Sequence, residues 1–118
     1  MRIHRRALLK GAAAAGLAVA APAVLRAQGA LFRLGLLTVK SGPLAQGGIQ
    51  MEQGALTFLK ERNYMMGGRK VDFVSADTGG NPAGAKTKAQ ELVERDKVDV
   101  IVGPLAAFEL YAISDYVR

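Results

Sequence analysis

Apolar and polar positions along residues 31–118 predict strands and helices in turn. Residues 31–38, 70–75 and 98–102 are short apolar runs bounded by polar or turn-forming residues, a pattern typical of buried strands. The last run is almost continuously β-branched, as expected for a central strand of a parallel sheet. The sequence therefore predicts three strands, each followed by a segment long enough for a helix.

Three segments carry apolar residues at helical spacing. The first predicted helix spans residues 49–63, and Gly67-Gly68 ends that segment. The second spans residues 81–97, with Asn81 as N-cap and Pro82 at the first helical position. A third is predicted from Ala107 onward. The apolar residues predicted to face a core are Ile49, Leu56 and Leu59 in the first helix, Ala85, Ala89, Leu92 and Val93 in the second, and Leu110, Ile113 and Val117 in the third.

The resulting β-α-β-α-β-α order predicts an α/β fold, a parallel sheet with helices on both faces. Ligands of open α/β sheets bind at the carboxyl ends of the strands. Two loops reach that edge with useful chemistry, residues 41–48 after the first strand and residues 103–108 after the third. Backbone N–H groups at a helix start favour an anion such as a carboxylate. The sequence predicts a binding edge without a catalytic residue in it.

Residues 1–27 have the three-part pattern of an export signal. Basic residues open the chain, and an apolar stretch of about 15 residues follows, shorter than the roughly 20 needed to span a bilayer. The Arg5-Arg6 pair resembles a twin-arginine signal, although the usual Ser or Thr before it is missing. The alternative is an ordinary secretory signal. Either route predicts a periplasmic bacterial protein with no membrane anchor in its mature form.

Removing the signal changes what the charge implies. Five of the 16 basic residues and none of the 10 acidic residues lie within residues 1–27, which leaves 28–118 with a net charge of +1. The high isoelectric point is therefore no indication of a nucleic-acid partner. The chain has no cysteine, and its one histidine, His4, lies in the signal. We expect no metal site, no lipid-modified cysteine and no imidazole-based catalysis.

One segment superficially resembles a phosphate-binding loop. Residues 79–87 follow a strand and open a helix, but that motif requires Lys directly after its second glycine. Here Ala85 separates Gly84 from Lys86, and Pro82 removes an N–H group. We therefore expect no nucleotide and no other cofactor.

Four stretches in this order resemble the periplasmic leucine/isoleucine/valine-binding proteins, a family of type I solute-binding proteins. They are residues 34–45, the Gly54-Ala55 helix, the turn from Asp77 to Ala85, and residues 98–104. The resemblance implies two α/β lobes that close on a ligand and deliver it to the membrane permease of an ABC transporter. The candidate ligand-binding residues are Ser41, Gly42, Pro43, Gly47, Gly103, Pro104, Ala106, Ala107 and Phe108.

The sequence departs from this family in length and in the candidate site. Family members are much longer, so residues 28–118 are predicted to be the N-terminal, incomplete part of the first lobe. The alternative is a complete small domain. Relatives that bind amino acids offer hydroxyl side chains in the loop after the third strand, whereas residues 105–108 offer none. The family's aromatic contact in the first loop is replaced by Gly47. The expected ligands are branched-chain amino acids or related small organic acids, aromatic acids among them.

Two other functions remain open at this point. An exported α/β enzyme would carry its catalytic residues outside these 118 positions. A sensory domain of the same fold would be attached to a transmembrane helix. The resemblance favours a solute-binding protein, which is not an enzyme, and Phe108 is either a stacking surface for the ligand or a packing residue.

Overall fold

The computed structural model describes residues 30–118, and the predicted export signal lies outside this part of the chain. Four strands and three helices follow one another from Phe32 to Ile113. They are β1 (Phe32–Thr38), α1 (Ala45–Glu61), β2 (Met65–Met66), β3 (Arg69–Asp77), α2 (Pro82–Gln90), β4 (Val100–Val102) and α3 (Ala107–Ile113). A π-helical turn, Glu91–Arg95, continues α2. Every predicted strand and helix is present, with changed boundaries.

The strands form one sheet in the order β2-β3-β1-β4. β1 lies in the centre and pairs in parallel with β3 and β4, which confirms the predicted parallel arrangement. The antiparallel pairing of β2 with β3 was not predicted. The segment Gly67-Gly68, which we interpreted as a helix stop, is instead the turn of this hairpin, with φ of 55° and 76°. Glycine adopts such positive φ values without steric cost.

Helices cover both faces of the sheet, as predicted. Leu37 points to one face, where it packs with Ala85, Ala89, Leu92 and Ile113 of α2, its π-helical turn and α3. Neighbouring residues of a strand point to opposite faces. Accordingly, the hydroxyl of Thr38 donates to the carbonyl of Gly48 in α1 at 3.3 Å, on the other face. Leu36 and Leu59 are both buried.

The start of α2 follows the prediction, whereas its end does not. The Asn81 side chain accepts a hydrogen bond from the Gly84 N–H at 2.8 Å, and Pro82 occupies the first helical position. The predicted regular helix to residue 97 gives way to the π-helical turn after Gln90. A π turn inserts an extra residue and so rotates those that follow. Leu92 is wholly buried, but Val93, predicted to face the core, is 38% exposed.

The free side of β4 is apolar. Of the three residues of α3 and its C-terminal flank predicted to face a core, only Ile113 is buried, and the prediction is wrong for Leu110 and Val117, which are about half exposed. Together with Val98 and Val100 they line a cavity of about 500 Å³, here called the β4–α3 groove. Leu110 and Val117 are exposed because β4 has a strand neighbour on one side only within residues 30–118.

No helix within residues 30–118 has the length and apolar character needed to cross a membrane.

Candidate functional site

Three loops meet at the carboxyl ends of the parallel strands. Loop 1 (residues 39–44) follows β1, loop 2 (78–81) follows β3, and loop 3 (103–106) follows β4. The backbone N–H of Lys40 donates to the carboxylate of Asp77 at 2.8 Å, which joins loop 1 to the end of β3. A Cβ built on Gly47 would lie 3.5 Å from the Leu105 side chain, so the first turn of α1 contacts loop 3. The two loops predicted to share an edge do so, and loop 2 lies at the same edge, at the end of β3 on the other side of β1 from β4.

The predicted site residues within 41–48 are divided between a loop and a helix. Ser41, Gly42 and Pro43 are exposed in loop 1, where Gly42 has a φ of 76°. Gly47 was predicted in a loop, but α1 begins at Ala45, so Gly47 lies in the first turn of that helix. The prediction of a helix start at residue 49 is wrong because tertiary packing outweighs the low helix propensity of glycine. Gly48 packs its backbone directly against Val39.

The predicted site residues within 103–108 belong to loop 3 and the start of α3. Gly103 has a φ of 108°, and a Cβ there would lie 2.1 Å from the Leu37 carbonyl oxygen. Only glycine therefore permits this close approach of loop 3 to β1. Pro104 follows through a cis peptide bond, and Ala106 is the residue before the first helical turn.

Ala107 and Phe108 present backbone donors and an aromatic ring at this edge. They are the first two residues of α3, so their N–H groups have no partner within the helix. The Glu109 N–H, by contrast, donates to the Ala106 carbonyl at 3.1 Å. The Phe108 side chain is 45% exposed. This segment can therefore offer two hydrogen bonds to a carboxylate and a ring face to an aromatic group.

Asp77 organises the connection between loops 1 and 2. Its carboxylate accepts hydrogen bonds from the N–H of Lys40 at 2.8 Å and of Gly79 at 2.9 Å, and the Ser41 hydroxyl lies near it. Burial would raise the pKa of this carboxyl, but these bonds and the positive charge of Lys40 outweigh burial and lower the pKa. Asp77 therefore caps the turn that follows β3, and the same carboxylate also holds loop 1.

Replacing Asp77 with asparagine should make stability less dependent on acidic pH. Because its pKa is lower in the folded than in the unfolded chain, the carboxylate contributes stability above the unfolded pKa of about 3.9. That contribution is lost as the pH falls through the folded value. Asp77→Asn should lower the free energy of unfolding by about 1 kcal/mol at neutral pH. The urea-unfolding midpoint of this variant should also change less with pH below pH 4 than that of the wild type.

The exposed Asp115→Asn serves as the matched control. It should leave both the stability at neutral pH and the loss of stability below pH 4 as they are in the wild type. If Asp77→Asn and the wild type lose stability in parallel between pH 5 and 2, the role given to Asp77 is wrong.

Two buried polar residues at this edge were missed from the sequence. The hydroxyl of Thr78 donates to one carboxylate oxygen of Glu109, and both residues are shielded from solvent. The other oxygen of Glu109 accepts from the Ala106 N–H at 3.4 Å. A glutamate at the third helical position commonly bonds back to the start of its helix, so the position of Glu109 was a usable signal. Its bond to Thr78 was not readable, because the two lie 31 positions apart.

Residues 32–118 match the family model described as periplasmic binding protein. The chain belongs to the periplasmic binding protein family. No curated protein sequence matches the chain. The fold of the described residues is that of part of one lobe of a type I periplasmic binding protein, as its solved relatives show.

Three solved structures illustrate the similarity to periplasmic binding proteins. An ABC transporter substrate-binding protein from Sphaerobacter thermophilus is 33% identical, with a TM-score of 0.71 over 75% of this chain and 24% of that one. A solute-binding protein of an ABC transporter from Rhodopseudomonas palustris BisB5, in complex with 3,4-dihydroxybenzoic acid, is 28% identical, with a TM-score of 0.70 over 74% and 24%.

The third is the branched-chain amino acid transporter substrate-binding protein from Streptococcus pneumoniae in complex with isoleucine. It is 25% identical, with a TM-score of 0.69 over 75% of this chain and 26% of that one. The chain thus spans about a quarter of the length of these solved proteins. The family and these neighbours are solute-binding proteins.

The donor groups at the candidate site do not resemble a metal centre. No group of three or more His, Cys, Asp or Glu side chains is placed to hold a metal ion among the residues that the structure describes. What this edge of the periplasmic binding protein fold offers is backbone donors, one aromatic ring and the Ser41 hydroxyl.

Proposed function

We propose that this chain takes part in binding a small organic acid, as the substrate-binding component of an ABC transporter. Two solved relatives contain 3,4-dihydroxybenzoic acid and isoleucine, and both ligands carry a carboxyl group. The proposed contacts are loop 1 at Ser41, Gly42 and Pro43, Gly47 in α1, and residues 103–108 except Leu105. The permease of the transporter is the proposed protein partner.

The observation that carries this proposal is the composition of residues 105–108. They contain no hydroxyl or charged side chain, but they combine two free backbone N–H groups with the half-exposed ring of Phe108. Such a surface favours an aromatic acid over an aliphatic amino acid, because an aromatic ligand gains contact with the ring. Loop 3 has no cationic side chain that could pair with the ligand's carboxylate. We therefore propose aromatic acids as the first class of ligand to test.

Amide chemical shifts in a titration with 3,4-dihydroxybenzoate and with isoleucine would test the proposal. Shifts are expected at Ser41, Gly42, Ala107 and Phe108, and not at Gly67 on the opposite edge of the sheet. Because the chain spans about a quarter of the length of its relatives, we expect a dissociation constant of only about 1 mM. Saturating shifts confined to other parts of the chain would contradict the proposed site.

Phe108→Ala should weaken binding of 3,4-dihydroxybenzoate about fivefold, since an aromatic contact contributes about 1 kcal/mol. Isoleucine binding should change little. The matched control is Tyr111→Ala, because Tyr111 lies one turn further along α3 and is 79% exposed. If the two variants bind the aromatic acid equally well, Phe108 is a packing residue and not a ligand contact.

Delivery to the periplasm is the cellular part of this proposal, and it rests on residues 1–27. Replacing both Arg5 and Arg6 with lysine should abolish export if the twin-arginine route is used, because that signal is recognised by a receptor. Cell fractionation would measure the periplasmic yield, with Arg2→Lys as the control. An unchanged yield from the double variant would show that the general secretory route is used.

A further inference from the structure

Glu109 is an acidic residue placed wholly inside the protein, directly after the candidate ligand contacts. Its side chain has no exposed surface, although it belongs to the first turn of α3. A buried carboxyl group is costly unless its oxygens are hydrogen-bonded. Here both oxygens have donors, the Thr78 hydroxyl for one and the Ala106 N–H at 3.4 Å for the other. The carboxyl group is therefore held by two loops of the site.

Thr78 extends this connection into loop 2. Its hydroxyl oxygen accepts a hydrogen bond from the Gly80 N–H at 3.2 Å while the hydroxyl donates to Glu109. Its backbone N–H donates to the Thr38 carbonyl at 2.8 Å, which anchors Thr78 to the central strand. The series of bonds from Gly80 through Thr78 and Glu109 to Ala106 is here called the Thr78–Glu109 link. It joins loop 2 to loop 3 below the exposed N–H groups of Ala107 and Phe108.

We propose that Glu109, acting through Thr78, is a positioning residue for ligand binding. It is fully buried and so does not contact the ligand. Its function is to fix the start of α3, so that the N–H groups of Ala107 and Phe108 keep one orientation before the ligand arrives. Preorganised donors bind more tightly than mobile ones because less motion is lost on binding. This proposal rests on the proposed function of the same loops.

Apolar replacement of both partners separates positioning from stability. A single Thr78→Val or Glu109→Met variant leaves the other polar group buried without its partner and should be destabilised. The double variant removes both groups, so it should recover much of the stability. The Thr78–Glu109 link is still absent in it, and the start of α3 should remain mobile. Thr87→Val, at an exposed position of α2, controls for the substitution itself.

The measurements are backbone amide order parameters, unfolding by urea, and titration with 3,4-dihydroxybenzoate on the full chain. In the double variant we expect order parameters at Ala107 and Phe108 to fall from about 0.85 to below about 0.6. We also expect binding at least about fivefold weaker than wild type, although the unfolding midpoint recovers relative to the single variants. The conservative Thr78→Ser variant retains the hydroxyl and its hydrogen bonds and should bind within about twofold of wild type.

Three outcomes are decisive: two concern the positioning role, and the third concerns the proposed function. Wild-type order parameters at Ala107 and Phe108 in the double variant would overturn the positioning role, whatever the ligand does. The same holds if the double variant binds the acid as wild type does. If the wild type shows no shifts at these amides with either acid, the proposed function fails instead.

Discussion

Replacing Gly48 with alanine is expected to lower the free energy of unfolding by about 3 kcal/mol, the upper part of the range for overpacked sites. A Cβ at this position would lie 1.6 Å from the Val39 carbonyl oxygen and 2.8 Å from the Thr38 hydroxyl oxygen. The nearest obstacle is backbone, so no rotation of a side chain relieves it. α1 would have to move away from the end of β1. For a domain of this size, such a loss is a large part of the total stability.

Gly54 provides the matched control within the same helix. A Cβ on Gly54 would meet no atom within 4 Å, and the residue is exposed. Gly54→Ala should therefore raise the free energy of unfolding by about 0.5–1 kcal/mol through helix propensity alone. Urea unfolding followed by far-ultraviolet circular dichroism would measure both variants. A stability change of the same sign in the two would refute the packing of α1 described above.

Leu37→Ala is the second substitution with a large expected effect, a loss of about 2–5 kcal/mol. Leu37 lies in the central strand with no exposed surface, and two of its neighbours in the core are Ala85 and Ala89. Those small side chains cannot extend to fill the space that the leucine leaves. The cost therefore includes an unfilled cavity as well as lost burial.

Leu31→Ala is the control for Leu37→Ala, because Leu31 is 45% exposed just before β1. Its replacement should change the free energy of unfolding by no more than about 0.5 kcal/mol. Equal destabilisation by the two variants, measured by urea unfolding, would mean that the core does not lie where the structure places it.

The regular part of the fold could be read from the sequence because it depends on local signals. The run at residues 98–102 indicated a strand, and β4 occupies residues 100–102 of it, although at an edge of the described sheet and not at its centre as predicted. Asn81 and Pro82 fixed the start of α2, since an N-cap bond needs only neighbouring residues. The parallel order then followed from the connections between strands.

Other features were not predicted because they depend on contacts distant in sequence. A strand of two residues, Met65–Met66, is too short to show alternation, and its pairing with β3 depends on the glycine turn. The first turn of α1 begins at Ala45 and contains Gly47 and Gly48, whose low helix propensity argues against a helix at this point. The close packing of Gly48 against Val39 stabilises this turn.

One part of the candidate site could be predicted from the strand order, and another part could not. A parallel sheet brings the ends of β1 and β4 to one edge, so loops 1 and 3 could be placed together from the strand order. The Thr78–Glu109 link could not be anticipated, because its two residues become neighbours only when α3 packs beside loop 2. That the nine proposed residues contact a ligand stays a prediction.

A crystal structure of the chain with 3,4-dihydroxybenzoate at saturating concentration would test the central claim most directly. We expect the carboxylate about 3 Å from the N–H groups of Ala107 and Phe108, with the aromatic ring of the ligand against Phe108. Ser41 and Gly42 should border the ligand from loop 1. The contradicting result is an acid bound only in the β4–α3 groove, between Val100 and Leu110, with loops 1 and 3 empty.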